Sequence, residues 1–410
     1  MLNFCIRVVC LLTASLMATH ALSQDLSGWS DKTVCRLASS QRDDPQYPLY
    51  LIEAKNRELN CGSGVVKNHW ATITTNNITY IKGVSEDQWA IIERIGDPLN
   101  CKERIKRIKN VQKSKTITAE EFLKNGDIIQ EYLATFPVVK LENGQYQLTD
   151  PIRVPAGKIL LGTQDTNILA DKVSVAIFNK GAISNLLISN AKEHAVILVS
   201  NSDVYNVVVR NTGVSKTIND IGNGIDSNGL GSSGNCLVSV EVSHGYNERG
   251  TSHKTEKGGN ADGFAVRNGA HDITFIDTHA HHNSDDGYDF WKGGANASIS
   301  KDKPTIRIFY SSANFNGKNP LTPNGDGNGF KLGSGDGNQK NRGKDKGSRL
   351  IHGSVACFNA SHGFDRNKTS TDIIASNLNT VGNKKGFIEV SSSRTITDPQ
   401  ALKCSMFPTQ

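Results

Sequence analysis

From Val138 almost to the C-terminus the chain is written in short β-branched and aliphatic runs, such as Val138-Val139-Lys140-Leu141 and Ile159-Leu160-Leu161-Gly162, punctuated by Gly, Asn and Asp. Runs of this length between turn residues predict strands. Upstream, Thr118-Ala119-Glu120-Glu121 forms a capping-box pattern, and Phe122, Ile128, Ile129, Tyr132 and Leu133 follow at helical spacing until Pro137. This predicts one amphipathic helix, placed to cap the open end of the core that the strands build. Residues 24 to about 116 carry Trp29, Trp70, Trp89 and a basic run from Lys102 to Lys115 with weak hydrophobic periodicity, and read as a small N-terminal accessory region ahead of a main domain spanning 117–400.

Internal repetition decides the architecture. Five twelve-residue blocks end in asparagine: Cys236–Asn247, Asp272–Asn283, Thr305–Asn316, Ser348–Asn359 and Asp372–Asn383. Phe275, Ile308 and Ile351 share the fourth place, and Ala280, Ala313 and Ala356 the ninth, where a tight corner admits only a small side chain. After each block comes a glycine followed by an apolar residue: Gly263-Phe264, Gly287-Tyr288, Gly329-Phe330, Gly363-Phe364 and Gly386-Phe387, with Gly224-Ile225 as an earlier relative. Where nothing is inserted the repeat is 23 or 24 residues, which suits a solenoid coil of three short strands. The expected fold is all-β, a right-handed parallel β-helix, in which equivalent residues of adjacent coils stack about 4.8 Å apart. Insertions at Glu248–Ala261 and Gly317–Asn328, with Lys292–Pro304 and Ser334–Gly347 at the other strand ends, flank the Asp285 coil and predict a walled trench.

Composition narrows the class. Charged residues make up 21% and mean hydropathy is -0.39, which excludes a multi-span membrane protein. At the N-terminus Arg7 precedes the apolar run Val8–Met17, and Ala21, Leu22 and Ser23 offer a small-x-small cleavage site before Gln24. Residues 1–23 therefore read as a signal peptide, predicting a secreted or periplasmic protein. Cys35, Cys61, Cys101, Cys236, Cys357 and Cys404 remain after its removal. They contain no C-x-x-C pair, which argues against zinc. The first three are expected to supply one disulfide, with the rest simply buried. The formal charge of +6 suits a polyanionic partner, and export favours an acidic polysaccharide over nucleic acid. No membrane partner is expected, and a monomer is.

Two columns carry chemistry. The residue before the glycine is Asn223, Asp262, Asp286, Asn328, His362 and Lys385 in successive coils; the residue two after it is Asp226, Ala265, Asp289, Lys331, Asp365 and Ile388. The aromatic between them points inward, so both columns are expected to face solvent on one wall. Asp262, Asp285, Asp286 and Asp289 then converge in two neighbouring coils. Asp-Asp-Gly is ordinary turn chemistry, but four carboxylates in register would repel one another, and hard oxygen ligands in that number suit Ca²⁺. Lys331 is the one cation in an acidic column. It reads either as a lysine bridging Asp289 and Asp365 or, beside a metal that neutralises Asp289, as a base whose pKa is pushed down toward working pH. Calcium plus a base points to β-elimination on a uronate: the metal polarises the carboxylate, Lys331 takes the C5 proton, and the C4 oxygen leaves.

Asn260-Ala261-Asp262-Gly263-Phe264-Ala265, Asn283-Ser284-Asp285-Asp286-Gly287-Tyr288-Asp289 and Gly327-Asn328-Gly329-Phe330-Lys331-Leu332-Gly333 resemble the signature blocks of polysaccharide lyase family 9, the pectate lyase-like right-handed parallel β-helix enzymes. The resemblance covers roughly residues 138–395. It implies a calcium site at Asp262, Asp285, Asp286 and Asp289 and Lys331 as Brønsted base, acting on pectate or another polyuronate. The stretch between Asp289 and Lys331 is longer than is usual there, and residues 24–116 match nothing in the family. Arg267, His282, Lys292 and Arg366 are candidate subsite cations for successive substrate carboxylates. His281 and His282 are adjacent strand residues, so at most one faces the site. Two rivals stand beside the lyase: a glycoside hydrolase on the same solenoid, with Asp285 and Asp286 as acid and base, and a non-catalytic polysaccharide binder whose aspartates fix a structural ion.

Overall fold

A computed structural model describes residues 83–404, apart from 112, 164, 214–221, 230, 248–258, 294–303, 319–324, 334–346, 368, 370, 386–391 and 394–400. The leader, Cys35, Cys61 and Gly386-Phe387 lie outside the described residues, as do half of the insertion Gly317–Asn328 and most of each of the other three. The described residues belong to one compact unit, 76–409.

The strands wind into a right-handed parallel β-helix. Among the described residues every strand pair is parallel, in one sheet of sixteen strands and one of eight. Long strands such as Ser233–Gly245 and His271–His281 turn a corner without breaking. They do so at residues held in the left-handed region, Asn206, Ser239 and Asp277 (φ 52°, 53° and 52°), which stack in register from coil to coil. A single left-handed residue redirects a strand sharply, and Asn and Asp tolerate it best among non-glycines. Core positions alternate with outward ones: Val204, Leu237 and Phe275 point in, with Val209, Val242 and Ala280 beyond the corner.

Four columns position the site. Phe275, Ile308 and Ile351 are in register, as are Ala280, Ala313 and Ala356. Phe264, Tyr288, Phe330 and Phe364 stack with ring centroids 4.8, 4.4 and 4.8 Å apart. Asn283, Asn316, Asn359 and Asn383 form a ladder in which each side-chain oxygen accepts the main-chain N–H of the asparagine one coil before. The glycines are required by crowding: a Cβ on Gly287 would sit 2.7 Å from the Gly329 carbonyl and 2.9 Å from Ala313 Cβ. The small residue in one column therefore makes room for the turn in the next.

The block ending in Asn247 is misaligned by two residues. Ser243 pairs with His281, so Gly245, not Asn247, occupies the ladder position beside Asn283, and its N–H donates to Asn283 Oδ1. Asn247 instead donates to the Gly259 carbonyl. Asparagine identity alone could not show this, because a two-residue shift preserves the inward and outward pattern.

The predicted single helix is two, α3 (Ala119–Lys124) and α4 (Ile128–Thr135), broken at Asn125-Gly126-Asp127. The capping box is present: Thr118 Oγ1 accepts from Glu121 N, and Glu121 Oε2 accepts from Thr118 N. Phe122, Ile129 and Leu133 close the end of the core. Two further helices, α1 (Glu86–Ile95) and α2 (Cys101–Lys109), lie where periodicity was weak. Trp89, Ile92 and Ile105 pack against Val238, Ile276 and Phe309. The cysteine expectation is corrected. Cys101 pairs with Cys236, and Cys357 with Cys404, so three cysteines expected to be merely buried are bridged. Partners 135 residues apart meet because α2 packs against the coil that carries Cys236.

Candidate active site

The two chemical columns lie in the eight-stranded sheet. Ile225, Phe264, Tyr288, Phe330 and Phe364 are in register, and with them Asp226, Ala265, Asp289, Lys331 and Asp365. Just before the glycines, each side-chain oxygen accepts the next coil's main-chain N–H: Asp262 N donates to Asn223 Oδ1, Asp286 N to Asp262 Oδ1, Asn328 N to Asp286 Oδ1 and His362 N to Asn328 Oδ1. Short side chains with a terminal oxygen are what such a ladder needs, which explains the run of Asn and Asp.

The columns point away from the core but do not open to solvent as expected. Asp262, Asp285, Asp286 and Asp289 are each at most 6% exposed. One oxygen each from Asp262, Asp286 and Asp289 lies within 4.8 Å of the others. Lys331 Nζ is 3.0 Å from Asp286 Oδ2, 3.6 Å from Asp289 Oδ2 and 3.1 Å from Asp326 Oδ2. Lys331 thus bridges Asp286, Asp289 and Asp326; its predicted partner Asp365 gives an oxygen to Asn367 N.

Asp285 is used differently. Its two oxygens accept main-chain N–H groups from two loops, Asn260 at 2.5 Å and Asp326 at 2.7 Å. Gly325 is packed so closely against this carboxylate that an added Cβ would lie 2.4 Å from Oδ1. Asp285 clamps the loop that delivers Asp326 to Lys331. Asp326 was not singled out from the sequence, since Asp in a Gly- and Asn-rich string reads as turn chemistry.

Burial and mutual repulsion govern the charges. Burial, then the charges of Asp285, Asp289 and Asp286, push Asp262 well above the usual carboxylate range. Burial lifts Asp286 likewise and raises Asp289, with Lys331 partly offsetting both. Burial brings Asp285 up to about 6. For Lys331, burial alone would lower the ammonium; the carboxylates of Asp286, Asp289, Asp285 and Asp326 outweigh it and hold it well above the ordinary lysine value. The expected lowering is therefore reversed for the protein residues by themselves, and a neutral amine requires the carboxylate charge to be balanced by something else.

The cluster fits a hard cation. Its donors are all oxygens, their protonated forms are favoured until positive charge arrives, and Asp289 Oδ1 is buried with no hydrogen-bond partner among the described residues.

The four candidate subsite cations fall in different surroundings. Arg267 is paired bidentately with Asp226 at 2.5 and 3.0 Å and lies in the field of Asp262 and Asp289. Lys292 Nζ stands 3.8 Å from the centre of the Trp291 ring. His282 is sandwiched between His244 and Phe315, with centroids 5.4 and 5.1 Å away, and its Nδ1 is 2.8 Å from His281 Nδ1. Arg366 donates to the carbonyls of Thr369 and Thr371.

A right-handed parallel β-helix with the polysaccharide lyase-like fold is the class these features define. The chain matches the family model described as Pel9A-like, right-handed β-helix region, over residues 130–397, and belongs to that family. Among solved structures it is similar to pectate lyase Pel9A, at 19% identity and TM-score 0.53, covering 70% of this chain and 73% of that one. A rhamnogalacturonan lyase matches at 19% identity and TM-score 0.40, over 60% of this chain and 66% of that one. An alginate lyase from Paenibacillus sp. str. FPU-7 matches at 12% and 0.33, over 70% and 99%. No curated protein matches the chain. None of the helices among the described residues is long and apolar enough to cross a membrane.

Proposed function

We propose that the protein is a secreted, calcium-dependent polysaccharide lyase that cleaves a polyuronate, pectate foremost, by β-elimination. The observation that carries this reading is the position of Lys331 Nζ, 3.0 and 3.6 Å from two members of a buried three-carboxylate group. Asp262, Asp286 and Asp289 are the residues that would hold Ca²⁺, with Asp285 adjoining and fixing the loops around them. When bound, the ion supplies a Lewis acid for the uronate carboxylate and acidifies the neighbouring C5 proton.

The protein's own residues do the rest. Lys331, as the neutral amine, takes the C5 proton onto Nζ; the C5–H electron pair becomes the C4–C5 double bond, and the C4–O bond breaks with its pair going to the leaving oxygen, which is protonated from water. Asp286 and Asp289 hold the amine in place and receive the ammonium it becomes. Lys292 is the candidate cation for a uronate carboxylate, while Arg267 is already paired bidentately with Asp226. A hydrolase acting through Asp285 and Asp286 is disfavoured, because both Asp285 oxygens already accept main-chain N–H groups.

The test is incubation with polygalacturonate while following ultraviolet absorbance. Elimination creates a conjugated double bond and a rising signal. Reducing ends formed without that signal identify a hydrolase, and no new ends a binder.

A further inference from the structure

The outer face of the other, sixteen-stranded sheet carries a cavity of about 460 Å³ that the lyase reading does not use. Its floor is one outward-facing row across four parallel strands: Lys140, Leu161, Ser184 and Tyr205 are in mutual register. Their chain neighbours Val139, Leu160, Ile183 and Val204 point into the core. The row therefore spans three strand spacings, roughly 14 Å. One wall is the end of α2, Ile108 and Lys109, with the segment that follows it; the other is the turn at Gly162-Thr163 and Asn185.

The lining has a definite chemistry. Among the described residues it contains two lysines and no carboxylate. Lys140 is exposed and has no ion-pair partner among the described residues, and Lys109 Nζ lies 5.0 Å from the Tyr205 ring centre. Ser184 Oγ is fully buried and has no hydrogen-bond partner among the described residues. With no exposed surface, it lies beneath the cavity floor and out of a ligand's reach. A bare anion would leave most of this volume unfilled. An aromatic ring, hydroxyls, an amide and two cations are the groups that grip a sugar carrying a carboxylate.

We propose that this cavity is a second, non-catalytic binding site for a uronate sugar, on a different wall of the solenoid from the acidic cluster. Tyr205 supplies the apolar contact, and Lys140 and Lys109 the carboxylate pairing. A polymer held here is kept at high local concentration for a site elsewhere on the same chain. The proposal goes beyond the lyase reading and does not need it.

The test uses the full chain with Lys331→Ala, so that no ligand is consumed, and EGTA, so that calcium-dependent binding at the acidic cluster is silenced. Calorimetric titration with trigalacturonate is expected to show one calcium-independent site. Lys140→Glu, an exposed change that leaves the fold intact, should weaken it roughly tenfold or more by placing like charge against the carboxylate. The same substitution in the Lys331 protein should leave turnover of a short substrate unchanged. The proposal is overturned by absence of calcium-independent binding, by indifference to Lys140→Glu, by equal affinity for a neutral trisaccharide, or by inorganic phosphate binding as well as the uronate. Failure of the lyase reading would show instead as no unsaturated product, whatever this titration gives.

Discussion

Lys331 and Asp289 occupy the same position on adjacent coils, paired in register, with Nζ 3.6 Å from Oδ2. They are far apart along the chain, and the separation is taken up by one turn of the solenoid and its insertion. Their closeness makes an acid–base pair from two residues that are unremarkable singly.

Replacing Lys331 by arginine separates charge from basicity. Arginine keeps a cation near Asp286 and Asp289 but does not deprotonate at working pH. Turnover should fall by roughly 10²–10⁴, the ordinary contribution of a general base, while substrate binding and the melting temperature stay near those of the parent. Initial rates and a binding titration on the same preparation check this. Retained turnover would remove Lys331 from the mechanism.

Asp262→Asn should have opposite effects with and without calcium. The amide oxygen still accepts the Asp286 N–H, but a buried charge that burial and three neighbouring carboxylates disfavour is gone. In EGTA the variant should be more stable by about 1 kcal/mol, the order of a one-unit pKa shift. With calcium it should lose most of the stabilisation that the ion gives the parent. Differential scanning calorimetry in both buffers measures the two signs; a variant less stable in EGTA contradicts the account.

Stability should depend on pH through the same carboxylates. Asp285 rises from 3.8 in the unfolded chain to about 6 in the folded protein, so folding favours its neutral form. Its contribution is complete below the unfolded value and is lost as pH rises through about 6. Without calcium the melting temperature should therefore decline between about pH 4 and 7. Calcium must displace the protons, so its stabilising effect should grow over the same interval. A calcium effect equal at pH 5 and pH 8 would rule this out.

Asn316→Ala removes the centre of the asparagine ladder. The Asn316 side chain accepts from Asn283 and donates to Asn359 and the Ala280 carbonyl, all buried. Leaving several buried groups unpaired should cost about 2–4 kcal/mol, read as a shift of the urea midpoint. A loss under half a kcal/mol would show that the ladder is dispensable.

The repeat of glycine, aromatic and asparagine was legible because a solenoid imposes the same local requirement on every coil: room at Gly287, ring stacking at Phe330, side-chain capping at Asn359. The registers of Phe275 with Ile308 and of Asp289 with Lys331 followed from that repetition, and the family from the resemblance of the blocks around Asp262, Asp285 and Lys331. What failed depended on neighbours that no repeat encodes. Asn247 was placed two residues out because Gly245 fills its slot. The helix before Pro137 was read as continuous because Gly126 weakens a helical pattern without announcing a break. Cys236 found its partner on a helix that lacks the repeat.

The sequence by itself determined the β-helix, its columns and the residues that share a wall, since strand alternation and coil period are local, recurring rules. Only the tertiary structure decided that the acidic wall is buried, that both Asp285 oxygens accept loop amides, and that Lys331 is held protonated by four surrounding carboxylates. Burial and electrostatics depend on everything within several ångströms in space, and in a solenoid much of that comes from other coils and from loops outside the repeat.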